Sequence, residues 1–171
     1  MRKRFYFICL MLAGLFSLMA HAQDNGQTFA TPTGESPVNA NGEPNWFINM
    51  DYAGFNFELP AGTVVQKGSS LIAKYPDGSF GVSMSNIAKP SRQKYAYEIC
   101  RRNVEEMKLE NASVEKVKYG KCAGAKASGT LEGSKVTILV LPYDDQEVTT
   151  VILASPNREE WVNHFLRTLK R

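Results

Sequence analysis

Apolar and polar residues alternate along much of this chain, and the period of the alternation changes from place to place. Phe55, Phe57 and Leu59 alternate with Asn56 and Glu58 before Pro60-Ala61-Gly62 ends the run. A period of two is that of a strand buried on one side. Residues 70–75 and 79–87 flank Pro76-Asp77-Gly78. Asp-Gly accepts the positive φ that a tight reversal needs, so these two runs are predicted to form a hairpin. The period then lengthens. Ala96, Cys100, Val104 and Met107 recur at intervals of four or three, which predicts a helix over 91–109 that buries this stripe. Pro90 precedes it, and Ser91 is placed to cap the first free amides.

Four more strand-like runs follow. Residues 113–119 alternate charged and apolar side chains, 121–131 are rich in Ala and Gly, 135–143 are strongly apolar, and 147–154 are rich in β-branched residues. Glu132-Gly133-Ser134 and Asp144-Asp145-Gln146 have hairpin length, so these strands are predicted to be antiparallel neighbours. A last helix is predicted over 156–170. Asn157 and Glu160 are spaced as a capping box, with Glu159 and Glu160 at the start and Arg167, Lys170 and Arg171 at the end, as the helix dipole favours. Trp161, Phe165 and Leu169 form its apolar stripe. The order of elements predicts an α+β fold, an antiparallel β-sheet with a central and a C-terminal helix packed on it.

The first 22 residues break this pattern. Arg2, Lys3 and Arg4 precede an apolar run from Phe5 to Met19, and Ala20-His21-Ala22 stands before Gln23. That is the layout of a secretory signal peptide, with cleavage expected after Ala22; the run is short for a membrane span of about 20 residues. Cys9 lies inside the apolar run, so it cannot become the lipidated first residue of a mature lipoprotein. Residues 23–45 are dominated by Asn, Gly, Pro, Thr, Ser and Gln and are expected to be a flexible lead-in, either an idle tether or a segment that folds onto a partner. One domain is expected over 46–171.

Cleavage also changes the charge. The whole chain has 171 residues, 20 bases, 17 acids, a net charge of +3 and a pI near 8.7. Residues 1–22 contain three bases and no acid, so their removal leaves 17 of each. A neutral chain has no charge excess to hold a phosphate backbone, which argues against general nucleic-acid binding. No second long apolar run follows, so no stable membrane insertion is expected after cleavage, and a periplasmic or secreted location is.

Cys100 and Cys122 are the cysteines that remain. In an oxidising compartment they are a candidate disulfide, whose ring would contribute about 3 kcal/mol; the alternative is two separate buried thiols. After cleavage His164 is the one histidine. A multi-histidine metal site is therefore impossible, and any Ser-His-acid triad must use His164. Its other reading is a histidine at the edge of a packed helix. Asp144, Asp145 and Glu147 suit either a hard cation or a polar hairpin tip. Glu105 and Glu106, with Arg101 and Arg102, suit a solvated helix face, although paired carboxylates can also hydrolyse glycosides. Asn111-Ala112-Ser113 has the form of a glycosylation acceptor. Trp46, Phe47, Tyr52 and Phe55 suit either a first strand and its packing or a contact surface. No phosphate loop, nucleophile elbow or zinc-protease motif is present. No catalytic residue, cofactor or metal is assigned.

The run Gly54-Phe55-Asn56-Phe57-Glu58-Leu59-Pro60-Ala61-Gly62, the hairpin, the central helix, the strand meander with Gly120 and Gly133 at turns, and Ser155-Pro156 before an aromatic helix together resemble the PsbP-like fold. That family takes its name from an extrinsic photosystem II subunit and includes bacterial envelope proteins similar to DcrB. The resemblance covers about 51–169 and departs at Thr63, where an aromatic residue often stands. It implies an antiparallel sheet sandwiched by helices, acting as a non-enzymatic assembly or binding module, and it supplies no functional residue. The expected function is therefore an exported accessory module whose partner is another envelope or secreted protein. The alternatives are a small hydrolase using His164 or paired carboxylates, and a carrier of a small apolar ligand.

Overall fold

The computed structural model describes residues 27–28, 40–41, 43–90, 92–119 and 121–171. The expected signal peptide and its cleavage point after Ala22, most of the lead-in, Ser91 and Gly120 lie outside the described residues. The chain order is β1 (Gln27–Thr28), β2 (Phe47–Tyr52), β3 (Phe55–Pro60), β4 (Val64–Lys67), β5 (Ser70–Lys74), β6 (Gly81–Ala88), α1 (Gln93–Met107), β7 (Glu110–Tyr119), β8 (Cys122–Leu131), β9 (Ser134–Pro142), β10 (Glu147–Ser155) and α2 (Glu159–Thr168). Eight strands form one sheet in the order β1-β4-β5-β6-β10-β9-β8-β7, and β2 with β3 form a separate ribbon. Every pairing is antiparallel, and the fold is α+β as expected.

Strand alternation sorts the core into two clusters, one on each face of the large sheet. On one face Leu71, Val82, Met84, Leu139, Leu141, Val151 and Leu153 meet Phe55, Phe57 and Leu59 of β3 and Trp161, Val162 and Phe165 of α2. On the other, Ala125, Ala127, Val136, Ile138, Val140 and Val148 meet Ala96, Ile99, Cys100 and Met107 of α1. The sheet is thus the middle layer, with the β2–β3 ribbon and α2 on one side and α1 on the other.

Local chemistry explains the joints. Ala53 and Gly54 both take positive φ, 50° and 69°, the two-residue turn that closes β2 onto β3. Between β5 and β6, Gly78 N–H donates to Tyr75 O and Ser79 N–H to Asp77 Oδ1, so the Pro-Asp-Gly reversal forms as predicted. α1 ends on Lys108 at φ 54°, where Leu109 N–H reaches Val104 O, the closure that satisfies the last carbonyls. In β8 a Cβ on Gly124 would stand 2.2 Å from Val140 O and 2.9 Å from Leu141 Cδ2. Only glycine lets these two strands approach so closely.

Several expectations are corrected. β2 and β4 were not separated out by the pattern: β4 has only four residues, too few for a period to register, and β2 reads as an aromatic cluster. Asn157 does not cap α2. The N-cap is Arg158, without a side-chain bond of its own, and its N–H instead donates to Ser155 Oγ at 2.7 Å. Ser155 is held there because its hydroxyl donates to Ser79 O, a tertiary contact that no local spacing reveals. α1 likewise begins one residue after Arg92, which makes no side-chain cap.

Candidate functional site

The two cysteines are not joined. Cys100 and Cys122 are both free and buried, and they belong to the two opposite core clusters. A bridge would have to pass through the sheet, which the geometry of an S–S bond forbids. Cys100 Sγ faces Ile138 O, and burial pushes its thiol up to about 12. A thiol held neutral in this way is a packing residue, not a nucleophile.

His164 has a partner that sequence reasoning did not supply. Its Nε2 lies 2.6 Å from Glu58 Oε2, and its ring stacks on Phe47 with centroids 3.6 Å apart and planes 15° from parallel. β3 presents Glu58 outward between Phe57 and Leu59, β2 presents Phe47, and α2 carries His164 across both. The backbone locks the same junction: Glu58 N–H donates to Thr168 Oγ1, while that hydroxyl lies within hydrogen-bond distance of His164 O and Phe165 O. Histidine and carboxylate are 22% and 32% exposed, so the pair sits at the edge of the core. A carboxylate on an imidazole is half of a hydrolytic triad. Among the described residues no serine, threonine or cysteine side chain is hydrogen-bonded to the His164 ring, and the Thr168 hydroxyl donates to backbone carbonyls instead. Tyr52, Phe47 and Phe55 belong to the ribbon and its packing, with Phe55 fully in the core.

The acidic candidates are also placed. Asp144 Oδ1 accepts from Gln146 N–H and Glu147 N–H at 2.8 Å each, so it closes its own hairpin tip. Glu105 and Glu106 stand on the exposed side of α1, each 3.9 Å from Arg101 and Arg102 one turn earlier, the solvated-face arrangement. Among the described residues no group of three or more His, Cys, Asp or Glu is arranged to hold a metal ion. Asn111 is exposed at the bulge that opens β7, with φ 50°.

What the pattern did not point to is the unequal cover of the sheet. On the β3 side, Val65, Leu71, Ala73, Val82 and Met84 are all buried. On the α1 side the same three strands present Val64, Gln66, Ser70, Ile72, Lys74, Ser83, Ser85 and Ile87, every one partly exposed. α1 packs on β7, β8 and β9, and no other described helix lies on that side. In register, Ser70, Ser85 and Thr150 stand side by side on β5, β6 and β10, followed by Val140 and Ala125 under α1. The next row is Gln66, Ile72, Ser83, Ile152, Ile138 and Ala127. Half of one sheet face is therefore core and half is a shelf of serines and isoleucines. Thr150 sits at the boundary, 5% exposed, and its hydroxyl has no hydrogen-bond partner. The signal available in the sequence was β6 itself, Gly-Val-Ser-Met-Ser-Asn-Ile-Ala, whose serines alternate with core residues in the middle of a sheet.

No protein-family model matches the chain, and no curated protein sequence matches it. Among solved structures it is similar to a protein from Bacteroides thetaiotaomicron VPI-5482, with 14% sequence identity and a TM-score of 0.46. That similarity covers 70% of this chain and 46% of the other, so the chain spans less than half the length of the structure it matches. No helix among the described residues is long and apolar enough to cross a membrane.

Proposed function

We propose that this chain is an exported, non-catalytic binding module of PsbP-like type, an accessory to an envelope or secreted protein assembly, and that its partner lies on the open half of the sheet. The observation that supports this reading is the partly exposed α1-side surface of β4, β5 and β6, strands that bury Val65, Leu71, Ala73, Val82 and Met84 on their opposite surface. A sheet buried on one side and left partly apolar on the other is a surface prepared for contact. The signal-like first 22 residues support a periplasmic or extracellular location for it.

Crosslinking of the tagged full chain in whole cells, with identification of what is captured, tests the reading. The same experiment with Ile72→Arg and Ser83→Arg should lose the partner while the unfolding midpoint stays within a few degrees. Recovery of the unaltered protein only as an unattached monomer would reject it. A second reading, a small hydrolase, draws support from the His164–Glu58 pair. The check is an assay of the unaltered protein and of His164→Ala on a broad panel of glycosides, esters and peptides, and absence of turnover by the unaltered protein sinks it.

A further inference from the structure

The open half of the sheet has dimensions that choose among occupants. Strands lie about 4.8 Å apart, so β5, β6 and β10 span about 10 Å, and the five residues they share in register run for about 17 Å along the strands. A footprint of about 170 Å² is well under the roughly 800 Å² that each partner contributes to a stable dimer. It matches one helix, about 10 Å across, over about three turns. We infer that the occupant is an amphipathic helix of a partner protein, laid on the open half beside α1 and presenting an acceptor side chain toward Thr150. This rests on the binding-module reading above.

Three further observations bear on that assignment. First, the interface that α1 makes continues into the open half without a break: Ile87 and Ile152 pack against the α1 cluster while remaining partly exposed. α1 shows what this surface accepts, since it sets Ala96 and Cys100 against the sheet and comes close to it. Ser83 and Ser85 are small enough to allow the same approach next door. Second, Thr150 is buried at the boundary and its hydroxyl lacks a partner. Rotation about χ1 exchanges that hydroxyl with the methyl group, so an acceptor arriving on the open side gives it the bond it lacks. Third, the competing modes are poorly served. Lys74 is the one charged residue on the α1-side positions of these strands, too little to hold an anionic lipid surface. Strand addition at β7 would set a partner beside Glu115, Lys116 and Lys118, charges that discourage edge pairing.

The test uses the full chain in its source organism with a photoreactive side chain placed at position 72 or at position 83. The expected result is one partner segment whose captured residues fall three, four or seven apart, with the yield reduced about fivefold by Thr150→Val, the loss of one net hydrogen bond. Thr150→Val should not lower the unfolding midpoint, so a reduced yield reports on the contact and not on folding. Captured residues two apart, a lipid adduct, or a yield indifferent to Thr150→Val would overturn the helix. Absence of any adduct at either position would overturn the binding-module reading along with it.

Discussion

β9 and β6 lie on either side of β10 in the same sheet, yet they are built on different rules. β9 runs Val136-Thr137-Ile138-Leu139-Val140-Leu141 with all six residues buried, because α1 covers one face and the β2–β3 ribbon with α2 covers the other. β6 buries Val82 and Met84 and leaves Ser83, Ser85 and Ile87 partly exposed. A strand covered on both sides reads as an unbroken apolar run, and one covered on a single side alternates. The lesson is that central position in a sheet does not guarantee two-sided burial, and that the sequence of a central strand records where the cover stops.

The sharpest way to break this comparison is to remove matched side chains from the two halves of one row. Ile138→Ala, under α1, should cost about 4 kcal/mol in urea unfolding, while Ile72→Ala on the shelf should cost about 1 kcal/mol. Equal losses would mean that the shelf is core after all. Next in size is Gly124→Ala, where the added carbon meets a backbone oxygen at 2.2 Å; a loss of about 3 kcal/mol is expected, and a neutral result would show that β8 and β9 can move apart.

A third effect is confined to alkaline solution. The Cys100 thiol ionises near 9 when unfolded but only at about 12 when folded, because burial disfavours its thiolate. Its contribution to stability is therefore complete below about pH 9 and falls away as pH rises toward 12. Tyr75 and Tyr119, raised chiefly by burial, act in the same direction, and Lys74, lowered by burial, opposes them. Cys100→Ala should flatten the decline in unfolding free energy above pH 9, and an unchanged slope would contradict the burial of this thiol. Intact mass should also be the same before and after reduction. The smallest effect is Thr150→Val, expected to stabilise the isolated domain by about 1 kcal/mol, since it removes a buried hydroxyl with no partner.

Much of the fold was legible because it is written in short range. The periods of β3 and α1, the Asp77-Gly78 reversal and the Glu132-Gly133 turn each follow from neighbouring residues, and the antiparallel order follows from short connections. What was not legible is set by residues far apart in the chain. Glu58 looks like any outward residue of a half-buried strand until α2 brings His164 over it from 106 residues away. The cap of α2 depends on Ser79, and the separation of Cys100 from Cys122 depends on which face of β8 residue 122 occupies. The shelf could have been suspected from the serines of β6, but only after α1 was known to stop at β9.

The layer formed by β3 and α2 has a consequence for when the protein can fold. Phe55, Phe57 and Leu59 precede by about a hundred residues the partners that bury them, Trp161, Phe165 and Leu169. Lys170 pairs with Asn56 through two backbone bonds of 2.8 Å, and Arg171 donates to Pro142 O, so the segment after α2 is fastened to earlier elements. That side of the core cannot close until α2 has been made. Under the export proposed above, the same late closure would keep β3 unpaired and the chain threadable until α2 has crossed.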